Sequence, residues 1–204
     1  FHYGRTVHGL RQSERGCVVV TAEGPDEADA VVLAAGCAVP RLAATVGLRV
    51  PVEPVKGYSC TLPVGDWSQA PRLGLIDDQH KIVVSRLGDR LRLAGTAEFA
   101  GHDLTLQRAR SDNIVRQVCR TLPGLASRPE LARRRDWCGL RPMSADGRPL
   151  IGPTRIPGLL LNAGPGHLGW TFACGMGRLL ADRITGSDPA LPLVDFLPSR
   201  FPGL

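Results

Sequence analysis

The chain has 204 residues, 43% hydrophobic and 22% charged, and no apolar run nears the roughly 18 residues a membrane-spanning helix requires. The formal charge is +6, with 25 Lys and Arg against 19 Asp and Glu, but only Arg133, Arg134 and Arg135 are contiguous and no aromatics interleave them, so nucleic acid is not an expected partner. Six cysteines (Cys17, Cys37, Cys60, Cys119, Cys138 and Cys174) form no C-x-x-C pair, which reads as reduced core thiols in a cytoplasmic protein, without zinc or a disulfide framework.

The first strand signal, "GCVVVTAEG", alternates toward a turn expected at Gly24-Pro25, and "ADAVVLAAG" (Ala28 to Gly36) is a short apolar run of the kind found in buried parallel strands. Between about Val50 and Phe99, "VEPVKGYSCTLPV", "HKIVVSRL" and "DRLRLAGTAEF" read as strands. Gly88-Asp89 reads as the hairpin turn between the last two, so this block is expected to be an antiparallel sheet. From Asp103 to Leu122 the apolar positions repeat at three and four, with Asp112 and Arg116 as an i,i+4 pair, and Pro123-Gly124 ends this helix. "GLRPMSADGRPLIGPT" is a strand broken by a turn at Asp146-Gly147, and a strand, a glycine loop and a helix closing at Gly186 follow.

Gly164-Pro-Gly166-His167-Leu168-Gly169 matches the G-x-G-x-x-G pattern between a strand and a helix. A dinucleotide fingerprint also needs a second buried strand and an acidic residue about 20 positions on. Only "SDPALPLVDFLPSRFPGL" follows, and its four prolines remove ladder donors. The loop keeps another use. A helix N-terminus presents free N–H groups and about half a positive charge, which suits a phosphate or a ring gaining negative charge. Gly169, Ala173 and Gly177 leave one helix face nearly bare, which equally suits close packing on a sheet. Arg141, between apolar neighbours, either anchors a substrate carboxylate through two parallel hydrogen bonds or pairs with an acid such as Asp136 or Asp146. His167 is a weaker candidate for a general base. His80 and His102 have no partner at metal-ligand spacing, and Ser59 and Ser144 lack a G-x-S-x-G elbow.

The segments "VVLAAG", "PVKGYS", "RLGDRLRLAGTAEF", "WCGLRPMSADGRPLIGPT" and "NAGPGHLGWTFACGMGRLLADRITG", in this order over nearly the whole chain, resemble the carboxy-terminal half of the FAD-dependent D-amino acid dehydrogenases. These belong with D-amino acid oxidase, glycine oxidase and sarcosine oxidase. The resemblance implies a mixed α/β fold, in which an incomplete Rossmann-like FAD-binding domain (residues 1–49 and 136–204) is interrupted by an antiparallel-sheet substrate domain (residues 50–135). It places Ala34, Ala35 and Gly36 by the ADP part of FAD, Gly164, Gly166, His167, Leu168 and Gly169 against the flavin ring, and Arg141 with Tyr58 at the substrate. The implied reaction is hydride transfer from a D-amino acid to the flavin, giving an imino acid that water converts to a 2-oxo acid and ammonia. No catalytic acid, base or metal is required, since the cofactor takes the electrons.

By the same resemblance the electron acceptor is of the quinone-chain type, and the protein is cytoplasmic or peripheral to the inner face of the membrane. Many dehydrogenase relatives read Gly-His-Gly-Thr-Leu-Gly where this chain has Gly-Pro165-Gly-His167-Leu-Gly, so substrate or acceptor is open to change. The chain starts at Phe1 and lacks the family's amino-terminal strand and its own G-x-G-x-x-G loop, so it reads as a fragment whose partner is the missing amino-terminal half. Alone it is not expected to hold FAD. The alternatives are a flavin-free truncated binding or interaction module, and an amine oxidoreductase of the glycine, sarcosine or hydroxyproline type.

Overall fold

The computed structural model describes residues 1–14 and 16–204. It divides into two compact units, Phe1–Glu53 with Arg141–Leu204, and Pro54–Leu140.

The first unit begins with an antiparallel sheet of β1 (Val7–Ser13), β2 (Gly16–Thr21) and β3 (Gly24–Ala28). The turn expected at Gly24-Pro25 falls earlier, at Ala22-Glu23: Gly24 and Pro25 already pair with Thr21 and Val20. Proline is tolerated there because β3 is an edge strand. Short α1 (Val39–Ala44) ends at Thr45, whose hydroxyl accepts from the Leu10 N–H at 2.8 Å and donates back to backbone carbonyls, tying the helix end to β1.

The second sheet of this unit has the order β10 (Leu150–Pro153), β11 (Leu159–Ala163), β4 (Val31–Leu33). β10 and β11 are antiparallel, whereas β11 and β4 run parallel with Leu161 opposite Leu33. The parallel strand expected near residue 30 is therefore present, shortened to three residues. Leu33, Leu42, Leu150, Leu159 and Leu161 share one core; Ile151, Met176, Leu179 and Leu180 form another with Leu193. The proline-rich tail contributes to the second core, and the Phe196 carbonyl accepts from the Ile151 N–H at 2.8 Å, covering the outer edge of β10. α3 (Gly169–Thr185) ends at Gly186 with φ +71°, the left-handed close expected from the sequence.

The second unit is built on a five-stranded sheet of order β6 (Leu75–Asp77), β7 (Ile82–Leu87), β8 (Arg90–Glu98), β5 (Val52–Pro63), β9 (Arg135–Ser144). The β7–β8 hairpin turns at Gly88-Asp89 as read from the sequence. α2 (Arg108–Thr121) buries Ile114, Val115 and Val118 in a core with Tyr58, Cys60, Leu62, Leu91 and Leu93, while Arg116 and Arg120 face solvent. The helix begins after Gln107 rather than at Asp103, because the Asp103 carboxylate is used locally: it accepts from the Thr105 N–H at 2.8 Å and from Lys56. Asp112 is not paired with Arg116 as the spacing suggested. It bonds Arg134, and Arg116 turns to Asn113.

Candidate active site

Because β4 and β11 are parallel and adjacent, the segments leaving them emerge side by side at their carboxyl ends. From β4 come Ala34 and Ala35, both exposed, and then Gly36, which opens a 3-10 turn with φ +54°. From β11 come Gly164 and Pro165, a second 3-10 turn over Gly166–Leu168, and α3 from Gly169. Crevices outside the carboxyl ends of parallel strands are where open α/β sheets bind ligands.

The glycine loop is closely packed on its inner side. A Cβ on Gly164 would stand 3.1 Å from Ser144 Cβ and from Val52 Cγ2, and its φ of +67° disfavours any other residue. Gly166 has φ +62°, and a Cβ there would meet Met143 Sδ at 2.9 Å. Met143 also forms an isolated antiparallel bridge with Pro165, so the end of β9 is held against the loop. Arg141 lies two residues before Met143, on the same side of the strand by alternation. It is half-buried, and burial lowers its pKa below the ordinary guanidinium value. Asp136 bonds Arg134 at 3.0 Å and Asp146 bonds Arg200 at 2.8 Å.

No side chain caps α3, so its first N–H groups remain available beyond Leu168. Ser144 Oγ and Asn162 Oδ1 are buried beside the loop with no hydrogen-bond partner among the described residues. Buried polar atoms are rarely left unsatisfied, so each of the two is a point where a bound group can supply a hydrogen bond. These residues could hold FAD. His167 is exposed at the loop surface.

Tyr58 belongs to the other unit. It is 1% exposed, and its hydroxyl donates to Glu98 Oε2 at 2.6 Å. Lys56, fully buried, donates to Asp103 Oδ2 and to the Thr105 carbonyl, each at 3.0 Å, and stands 3.4 Å from Glu98 Oε2. Burial works to lower the Lys56 pKa, but the bonds to Asp103 and Tyr58 and the two carboxylate charges outweigh it and the pKa is raised. Thr105 and Lys56 together hold Asp103 at about 2. Sequence reasoning missed this network and the unsatisfied buried polar atoms of Ser144 and Asn162. A single Lys inside the apolar run "VEPVKGYSC" was the available sign of the first, and a lone Asn in "LLLNAG" of the second.

Segments leaving adjacent parallel strands, one of them a glycine loop that opens a helix, are the arrangement by which flavin- and nucleotide-binding α/β folds hold their ligands. More specifically, residues 1–183 match the family model described as FAD dependent oxidoreductase (DAO). The chain belongs to that family. It is 43% identical over 203 residues to a D-amino acid dehydrogenase of Xanthobacter autotrophicus, covering 98% of this chain and 48% of the relative. To a D-amino acid dehydrogenase of Granulibacter bethesdensis it is 41% identical over 204 residues, covering all of this chain and 48% of that one. The crystal structure of glycine oxidase from Geobacillus kaustophilus superposes with a TM-score of 0.85 at 27% identity, covering 98% of this chain and 53% of the oxidase. The chain thus spans about half the length of each of these three proteins.

Proposed function

We propose that this chain forms the flavin-facing and substrate-holding part of an enzyme that oxidatively deaminates D-amino acids to 2-oxo acids and ammonia. The observation that carries the reading is the pair of segments, Ala34–Gly36 and Gly164–Gly169, leaving adjacent parallel strands at one end of the sheet. The FAD, when bound, supplies the acceptor for the hydride leaving the substrate α-carbon. Arg141 holds the substrate carboxylate through its two parallel N–H groups, which fixes the α-carbon in position. The uncapped N–H groups of α3 favour negative charge at the loop, and Gly164 and Gly166 let the backbone approach closely. Tyr58 takes part in substrate binding, its hydroxyl oriented by Glu98. Water then converts the imino acid to the 2-oxo acid and ammonia. Electrons pass on to an acceptor of the quinone-chain type, with the protein peripheral to the membrane, and an amino-terminal half of the protein completes the FAD site.

A second reading, oxidation of glycine or an N-substituted amine, is favoured by the superposition on glycine oxidase. The test is anaerobic mixing of the full-length, FAD-loaded protein with D-alanine, L-alanine, glycine and sarcosine. Bleaching of the visible flavin band by the D-enantiomer, with 2-oxo acid and ammonia released in equal amounts, is the expected result. Bleaching by glycine or sarcosine alone selects the second reading, and bleaching by none of the four overturns both.

A further inference from the structure

The sheet of the Pro54–Leu140 unit carries an arginine-walled groove of about 860 Å³, lined from β5, β8, β9 and the turn leading into β9. β8 contributes Arg90 and Arg92 on one side, and Arg133 and Arg135 stand on the other. Between them β5 forms the floor, with Thr61 directly opposite Arg92 and accepting from its Nε at 3.2 Å. Strands flanking a common neighbour lie about 10 Å apart, and arginines from both flanking elements line the one groove.

Two of these arginines have only a long ion pair and two have none among the described residues. Arg90 is 3.8 Å from Asp89, Arg133 is 3.8 Å from Glu130, and Arg92 and Arg135 make no ion pair among the described residues. Their neighbours differ: Arg128 binds Glu130 at 3.0 Å, and Arg134 binds Asp136 at 3.0 Å and also Asp112. Of the two carboxylates that line the groove, Asp136 is held by Arg134 and Asp89 lies 3.8 Å from Arg90, so four guanidinium groups face one cavity with a single acid left to them. At its side stands Trp137, 62% exposed, whose ring lies over Gly139 where a Cβ would collide with it. One face of the indole is thus seated on backbone while the ring stays open to solvent.

We propose that this groove binds a nucleoside di- or triphosphate, its phosphates between the two arginine walls and its base stacked on Trp137. Guanidinium forks match phosphate oxygens two at a time, and an aromatic face accepts any base. The volume lies within the range of about 300 to 1,000 Å³ usual for small-molecule sites. A single stacking platform suits one nucleotide rather than a strand, which needs a succession of them.

The test titrates the full-length protein, already saturated with FAD so that its own adenylate site is filled, with ADP and with inorganic pyrophosphate at low salt. Heat and tryptophan emission are followed. Saturable one-to-one ADP binding is expected, at least tenfold tighter than pyrophosphate. Trp137→Leu abolishes the emission change and weakens ADP about tenfold, the scale of a lost base stack. Arg92→Ala with Arg135→Ala weakens both ligands more than tenfold while FAD content and thermal midpoint stay unchanged. Arg92→Lys, which keeps the charge and loses the fork, serves if the double variant is misfolded, and weakens ADP severalfold. The proposal is overturned by the absence of saturable ADP binding, by ADP binding indifferent to the arginine variants, or by pyrophosphate binding as tightly as ADP. Arginine-dependent capture by phosphatidylglycerol vesicles without ADP binding likewise overturns it, in favour of a bilayer surface.

Discussion

Glu98 receives the Tyr58 hydroxyl at 2.6 Å while the same carboxylate lies 3.4 Å from Lys56 and 3.1 Å from Arg110. The Tyr58 bond, acting against burial and with the two cations, holds the Glu98 pKa below its ordinary value. A cation and a carboxylate inside a sheet stabilise it only as a pair, since removing one leaves the other uncompensated. Lys56→Met is expected to lower the thermal midpoint by more than about 4 °C in a domain of this size. Circular dichroism melts test this, and a midpoint within 1 °C of the parent, well under about the 2 to 4 °C that a modest loss produces, removes the network from any account of stability.

The same network sets an acid limit. Asp103 has its folded pKa held at about 2 by Thr105 and Lys56, below the unfolded value of about 3.9. A depressed carboxylate gives stability that is full above the unfolded pKa and is lost as pH falls through the folded one. The loss is therefore expected between about pH 4 and pH 2, and Asp103→Asn flattens the stability profile over that window. Lys56 has the opposite sign: its raised pKa gives stability that is full below the unfolded value and lost at strongly alkaline pH. Urea midpoints measured from pH 2 to pH 7 read the Asp103 contribution directly.

Cys60 is buried and its thiol is pushed up to about 12 by burial and by the Asp136 carboxylate, whereas Cys174 is exposed on α3. Only the thiolate is nucleophilic, so Cys60 is expected to react with iodoacetamide at least about a hundredfold more slowly than Cys174 at pH 8. Peptide mapping over a time course distinguishes them, and equal rates show that the α2 side of the sheet opens readily.

β5, β7 and β8 were legible and fall where the apolar segments between turn signals put them. β3, "GPDEA", is exposed along nearly its whole length, and β6 has three residues, so neither buries enough apolar side chain to leave a signal. The glycine loop was legible because a positive φ demands glycine at a fixed place in a strand-loop-helix frame. The arginine groove was not. Arg90 and Arg92 stand some forty residues from Arg133 and Arg135 in sequence, and only the order β8-β5-β9 brings them to one face. Asp112 and Arg134 illustrate the same limit, since a tertiary partner displaced the helical pair that spacing suggested.

β4 is the outer strand of its sheet, with Val32 40% exposed, and α3 presents Trp170 at 96% and Phe172 at 39% exposure. An unpaired edge beside apolar side chains favours self-association. Produced by itself, the 204-residue chain is expected to form dimers or larger species. Val32→Lys, a charge on the open edge, is expected to shift it toward monomer in light scattering. A monomeric parent chain refutes this.

Arg141 precedes by two residues Met143, which bridges to Pro165 of the glycine loop, and in the proposed role a carboxylate would use its fork rather than its charge. In the full-length enzyme Arg141→Lys is expected to lower kcat/KM for D-amino acids by more than about tenfold, the scale of one charge-assisted bond of ~1.5 to 3 kcal/mol. FAD content is expected to stay at the parent level. Loss of flavin with normal kinetics in the remaining holoenzyme assigns Arg141 to cofactor or structure instead.

Gly166 tests the loop itself. It combines φ +62° with a Cβ position 2.9 Å from Met143 Sδ, whereas Gly147 has φ +76° in an exposed turn with nothing within 4 Å. Both glycines would bear the backbone strain of a β-branched replacement, and only the first would also push a side chain into the loop. Gly147→Val therefore measures strain alone. Gly166→Val in the full-length enzyme is expected to match it in thermal midpoint to within a few degrees, yet to weaken FAD at least tenfold or lower the flavin potential. The helix N-terminus could no longer approach the negative charge that reduction places on the ring. FAD titration and redox potentiometry on both variants decide the matter: equal FAD affinity and equal potential reduce the Gly164–Gly169 loop to a structural turn.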